Sequence, residues 1–99
     1  DVPVRDILYV ECSGHRITIC RTDGSRLEKY GSLKAMEGEL AGCHFIRIHK
    51  NYLVNQEYIK EVGKREVYLT DGKALEMGRD RRAAVRDAMI QYEKGSYGY

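Results

Sequence analysis

A chain of 99 residues, 42% hydrophobic and 32% charged, is the size of one small globular domain with one modest core. No run approaches the roughly 20 apolar residues of a membrane helix, and residues 1–6 lack the basic head and apolar core of a secretion signal. The formal net charge of +2 rules out a uniformly basic surface, so a nucleic-acid binder of this composition has to gather its positive charge on one face.

In chain order, residues 4–11 carry apolar side chains at both parities: Ile7 and Tyr9, Leu8 and Val10. That pattern predicts a strand covered on both faces. Ser13-Gly14 is a turn. Residues 15–20 alternate, Ile17 and Ile19 against Arg16 and Thr18, and predict a half-buried strand. Asp23-Gly24 is a hairpin signal, and residues 26–30 return. Ser32 is placed to cap a short helix whose stripe is Leu33, Met36 and Leu40, with Gly42 at its end.

The run Phe45-Ile46-Arg47-Ile48-His49-Lys50-Asn51-Tyr52-Leu53-Val54-Asn55 organises the rest of the chain. It reads as two strands meeting at the polar corner His49-Lys50-Asn51, which the flanking apolar residues hold out into solvent. Gln56-Glu57 is a turn, residues 58–62 a strand, Gly63-Lys64-Arg65 a turn, and residues 66–70 the returning strand. Asp71-Gly72 is a second hairpin signal before a strand over residues 73–77. The period then changes. Val85, Ala88, Met89 and Tyr92 lie on one helical stripe over residues 80–94, with Asp80 at the start and Gly95 at the end as the expected caps. Residues 95–99 are expected to fray. Neither a linker nor a repeat interrupts this order.

Three stretches resemble the LytTR-type DNA-binding domain, the output module of many bacterial response regulators. They are Phe-x-Arg-Ile-His-Lys-x-Tyr-Leu-Val-Asn with the adjoining Tyr58-Ile59-Lys60-Glu61-Val62, the earlier Asp6-Ile7-Leu8-Tyr9-Val10-Glu11 with Gly14-His15, and the later segment from Val67 through Gly72 to Gly78-Arg79. They occur in the family's order and span about residues 4–82. The resemblance implies a mainly β fold: an elongated stack of small antiparallel β-sheets with one short helix. The C-terminal helix is longer than the family leads one to expect. The family also places a further strand ahead of the Asp6 segment, and this chain starts almost there. Residues 1–99 therefore read as one LytTR-like domain, and excision with a trimmed front edge would account for the missing first strand.

The resemblance also implies a ligand, duplex DNA, with loops projecting into successive major grooves. His15 matches the family's base-contacting histidine, and Arg16 beside it suits a phosphate. Lys50 and Asn51 fall in the exposed corner. Arg79 or Arg81 matches the second base-reading position, and Arg82 belongs to the same basic cluster. Arginine suits that task because its fork fits guanine O6 and N7. Gly78 stands where many members have serine, which removes a phosphate-binding hydroxyl. Arg47 and His49 fit equally well as internal groups bonding backbone. The implied partners are repeated DNA half-sites, a second copy of the chain on them, and a receiver domain or sensor kinase in a longer protein. The setting is cytoplasmic, and no cofactor is needed.

Other chemistries read less well. Cys12, Cys20 and Cys43 are an odd set for disulfides, and Cys12-Ser13-Gly14-His15 and Cys43-His44 lack zinc-site spacing. Cys43 and His44 would point to opposite faces of a strand, and no phosphate loop or nucleophile elbow is present, so an enzyme is not expected. A protein- or ligand-binding module using the same loops is the alternative from another class.

Overall fold

The computed structural model describes residues 2–96, with side chains described as far as Glu93. Eight strands and two α-helices form among the described residues: β1 (Ile7–Ser13), β2 (Arg16–Arg21), β3 (Arg26–Tyr30), α1 (Leu33–Glu39), β4 (Phe45–His49), β5 (Tyr52–Asn55), β6 (Ile59–Val62), β7 (Glu66–Leu69), β8 (Ala74–Glu76) and α2 (Arg82–Ser96). All strand pairings are antiparallel. The first sheet has the order β3-β2-β1-β5-β4 and the second β6-β7-β8. The stack measures 36 × 29 × 26 Å along its principal axes.

β1 is the central strand of the five, and its double-sided apolar pattern is the reason. A register shift between Ile7 and Tyr9 turns Ile7 and Val10 to one face of the sheet and Leu8 and Tyr9 to the other. The first face packs Ile7, Val10, Ile17, Ile19 and Leu53 against Leu33, Met36 and Leu40. The opposite face packs Leu8, Cys20, Ile48 and Val54 against the second sheet and against Val85 and Met89 of α2. The layers are therefore α1, the five-stranded sheet, and then the small sheet together with α2.

Several local expectations shift. Residues 4–6 form a 3-10 turn rather than the start of β1. β2 is not half-open, because Thr18 and Cys20 are buried on the face opposite Ile17 and Ile19. Residues 56–58 also form a 3-10 turn, so β6 begins one residue later than the pattern suggests. Buried Asn55 anchors that turn. Its amide donates to the Ile7 carbonyl at 3.0 Å, and its side-chain oxygen accepts from the Glu57 amide at 3.0 Å. Buried Gln56 donates to the Ala88 carbonyl at 3.1 Å and so ties α2 to the sheet. Asp80 does not cap α2, which starts two residues later at Arg82, and Gly95 lies within the helix rather than beyond its end. Of the segment expected to fray, residues 97–99 lie outside the described residues.

Ser32 does cap α1: its hydroxyl oxygen accepts from the Ala35 amide at 3.1 Å. Ser32→Ala should therefore cost about 0.5–2 kcal/mol. A urea midpoint that does not move on this substitution would show that the cap adds nothing to stability.

Candidate nucleic-acid interface

Three turns far apart in the sequence meet at one end of the first sheet. β1 and β5 run antiparallel with Glu11 opposite Tyr52, and the Cys12 amide donates to the Asn51 carbonyl at 2.9 Å. The β1–β2 turn, carrying His15 and Arg16, thus emerges beside the β4–β5 turn, carrying Lys50 and Asn51. The β8–α2 connection joins them because the Gly78 amide donates to the Ile48 carbonyl at 2.7 Å. That connection carries Arg79 and Arg81 and leads into Arg82.

A fourth turn comes with it. The Met77 amide donates to the Arg65 carbonyl at 2.9 Å, and Arg82 Nε donates to the Gly63 carbonyl at 3.1 Å. The β6–β7 turn therefore brings exposed Lys64 and Arg65 to the same region. The sequence pattern marks this turn without assigning its cations to the site. The signal was two adjacent basic residues after a glycine. Which way they face depends on the second sheet's docking, which no local pattern encodes. Gly63 itself is required by close approach, since a Cβ there would stand 2.9 Å from the Tyr68 ring and 3.0 Å from the Glu66 carbonyl.

The β4–β5 turn is built by two side chains whose roles the sequence left open. Arg47 is partly buried and donates from Nε to the His49 carbonyl at 3.1 Å and from Nη2 to the Lys50 carbonyl at 2.8 Å. Its Nη1 pairs with Glu37 of α1 at 2.6 Å. His49 accepts the Asn51 amide on Nδ1 at 3.1 Å, and its ring lies 5.4 Å from that of Tyr52. Its Nε2 stands 3.7 Å from the Glu76 carboxylate. Both groups are internal: they satisfy the turn's backbone and hold it open. Burial pushes the Tyr52 phenol above its usual range, helped by Glu11 and Glu76, so it stays a neutral wall beneath the turn.

What the turns present is different. Lys50 and Asn51 are exposed, and neither side chain has a hydrogen bond or ion pair among the described residues. The same holds for His15, presented by Gly14 with φ of 61°, a left-handed conformation that suits glycine. Arg16 makes an ion pair with Glu28 at 3.5 Å, with both side chains 56% exposed, so water screens it and the guanidinium exchanges easily.

The three arginines around the start of α2 separate in role. Arg79 is exposed with no side-chain partner among the described residues. Arg81 is half-buried and lays its stem over Gly78, where an added Cβ would meet Arg81 Cδ at 3.2 Å. Arg82 is half-buried and holds the Gly63 carbonyl.

This end of the molecule is thus a row of unpaired cations, an amide and an imidazole on rigid hairpins. That arrangement suits a polyanion with hydrogen-bonding edges. Among the described residues no three His, Cys, Asp or Glu side chains come together to hold a metal ion. Nor is any helix long and apolar enough to cross a membrane.

Comparisons with known proteins bear on the family and the fold. The family model for the LytTr DNA-binding domain matches residues 1–90. The transcriptional regulatory protein LytR of Staphylococcus aureus is 35% identical over 68 residues, which are 64% of this chain and 28% of that protein. The transcriptional regulatory protein NatR of Bacillus subtilis is 32% identical over 56 residues, 57% of this chain and 24% of that protein. The chain therefore spans only about a quarter of the length of these curated relatives. The fold is shared with the LytTr DNA-binding domain of a putative methyl-accepting/DNA response regulator from Bacillus cereus. The TM-score is 0.77 at 19% identity, covering 89% of this chain and 84% of that one. On the family match over residues 1–90, with four turns gathering their basic residues at one end of that fold, the chain belongs to the LytTr DNA-binding domain family.

Proposed function

We propose that this domain binds duplex DNA sequence-selectively through its clustered turns, in the service of transcription regulation. The observation that carries the reading is that His15, Lys50 and Arg79 come from three separate turns at one end of the sheet and have no side-chain partner among the described residues. His15 and Arg79 act as base readers. Lys50 and Arg16 hold phosphates, because an ammonium or an exchangeable guanidinium is a good point charge. Asn51 offers an amide to the same groove. Arg81, with its stem on Gly78, is the competing reader, and Arg82 keeps the β6–β7 turn in place. Two copies act side by side on repeated half-sites, in a cytoplasmic protein whose receiver domain supplies the signal.

The test is a mobility-shift titration on random duplex, then selection of a preferred site and its single-base variants. His15→Ala or Arg79→Ala should cost about 1–3 kcal/mol on the preferred site and relax preference at one base position. Lys50→Ala should weaken all sequences alike. If Arg81→Ala relaxes preference and Arg79→Ala does not, the reader assignment moves two residues along. No duplex binding even at low salt would point instead to a protein-binding module.

A further inference from the structure

We infer that Tyr30 is a further DNA contact, a neutral phosphodiester-binding group that extends the interface from the β1–β2 turn onto the end of β3. The inference rests on the DNA-binding surface proposed above. Tyr30 is 80% exposed, the most exposed large apolar side chain among the described residues. It is the last residue of β3, one of the two edge strands of the first sheet. Its cross-strand partner is Arg16, so the two side chains stand on the same face. The next residue, Gly31, donates its amide to the His15 carbonyl at 2.8 Å. That bond fixes the end of β3 against the turn that presents His15.

The chemistry comes from this position. A duplex keeps its bases stacked, so a tyrosine beside the groove finds sugar and phosphate rather than an open base. The ring offers a flat apolar face to a deoxyribose, and the hydroxyl donates to a phosphate oxygen. Arg16 beside it supplies the charge. Glu28, two residues back on the same face and paired with Arg16 at 3.5 Å, repels phosphate and so bounds the contact. Because the phenol is neutral, it adds affinity without neutralising a phosphate. It should therefore contribute nothing to the salt slope, unlike Lys50.

The experiment titrates the wild-type protein, Tyr30→Phe, Tyr30→Ala and Lys50→Ala against a selected site and a random duplex across a salt series. Tyr30→Phe should bind both duplexes about 3–10-fold more weakly, by the same factor, with an unchanged salt slope. Tyr30→Ala should lose more, about 10–50-fold. In the wild-type protein, tetranitromethane with subsequent peptide mapping should nitrate Tyr30 when free and spare it when bound. This second readout decides the matter if a variant folds poorly. Wild-type binding by both Tyr30 variants, a loss in Ala without a loss in Phe, or nitration undiminished by DNA each overturns the inference. If Lys50→Ala still weakens binding in those cases, the DNA surface stands and only Tyr30 is wrong. If Lys50→Ala also changes nothing, the proposed surface itself fails.

Discussion

Affinity for random duplex is expected to fall roughly 150-fold between 50 and 200 mM monovalent salt. That figure takes one phosphate for each of Arg16, Lys50, Lys64 and Arg65, and about −0.9 in log–log slope per phosphate, giving a slope of about −3.6. The net charge is only +2, so the attraction is local and does not belong to the molecule as a whole. Lys64→Ala and Arg65→Ala should each flatten the slope by about one unit. That result would add the β6–β7 turn to the interface. A slope unchanged in both variants would leave the contact with the other three turns, and a flat profile in the wild type would remove the electrostatic surface altogether.

Much of the scaffold was legible because its signals are local. The Asp23-Gly24 and Asp71-Gly72 pairs lie in the turns between β2 and β3 and between β7 and β8. The polar corner at Lys50-Asn51 is the β4–β5 turn, and Ser32 caps α1 as its position implies. The double apolar parity of β1 anticipated a strand with core on both faces. What stayed hidden depends on contacts distant in sequence. Thr18 reads as part of a solvated face with Arg16, but the second sheet and α2 pack on that side. Asn55 reads as the end of a strand and Gln56 as part of a turn. Both are buried because each donates to a backbone carbonyl across the fold.

The candidate site divides in the same way. Every residue of the sequence-derived set from His15 to Arg82 lies in or beside the converging turns, yet the pattern could not tell presented groups from builders. Arg47 and His49 flank Ile48 at the entry to the exposed corner, and the sequence leaves an internal role and a DNA role equally open for each. Arg47 directs three donors to two carbonyls of its own turn and to Glu37, and His49 commits Nδ1 to the Asn51 amide. The distinction is one of hydrogen bonding: a turn leaves backbone groups that must be satisfied somewhere. The residues that satisfy them are no longer free to meet a ligand.

Ile48→Ala is expected to be the most damaging single substitution in the stability of this domain. Ile48 is fully buried between Arg47 and His49, and its carbonyl accepts from the Gly78 amide, so it sits where the first sheet, the second sheet and the β8–α2 connection meet. Removing its methyls forfeits transfer energy and leaves a cavity that two sheets cannot both close, a loss of about 2–5 kcal/mol. A domain of this size has about 5–15 kcal/mol in total, and each kcal/mol moves its melting midpoint by about 4–8 °C. A midpoint lower by about 8–40 °C is therefore expected. Ile90→Ala is the control. Ile90 lies on the outer face of α2, 46% exposed, and should change stability by no more than about 0.5 kcal/mol. Thermal melts of the two variants side by side decide between packing and composition as the source of stability. Equal shifts would mean that the second sheet and α2 are not docked on Ile48. Without that docking, the Lys64-Arg65 turn and Arg79 would have no fixed place beside Lys50.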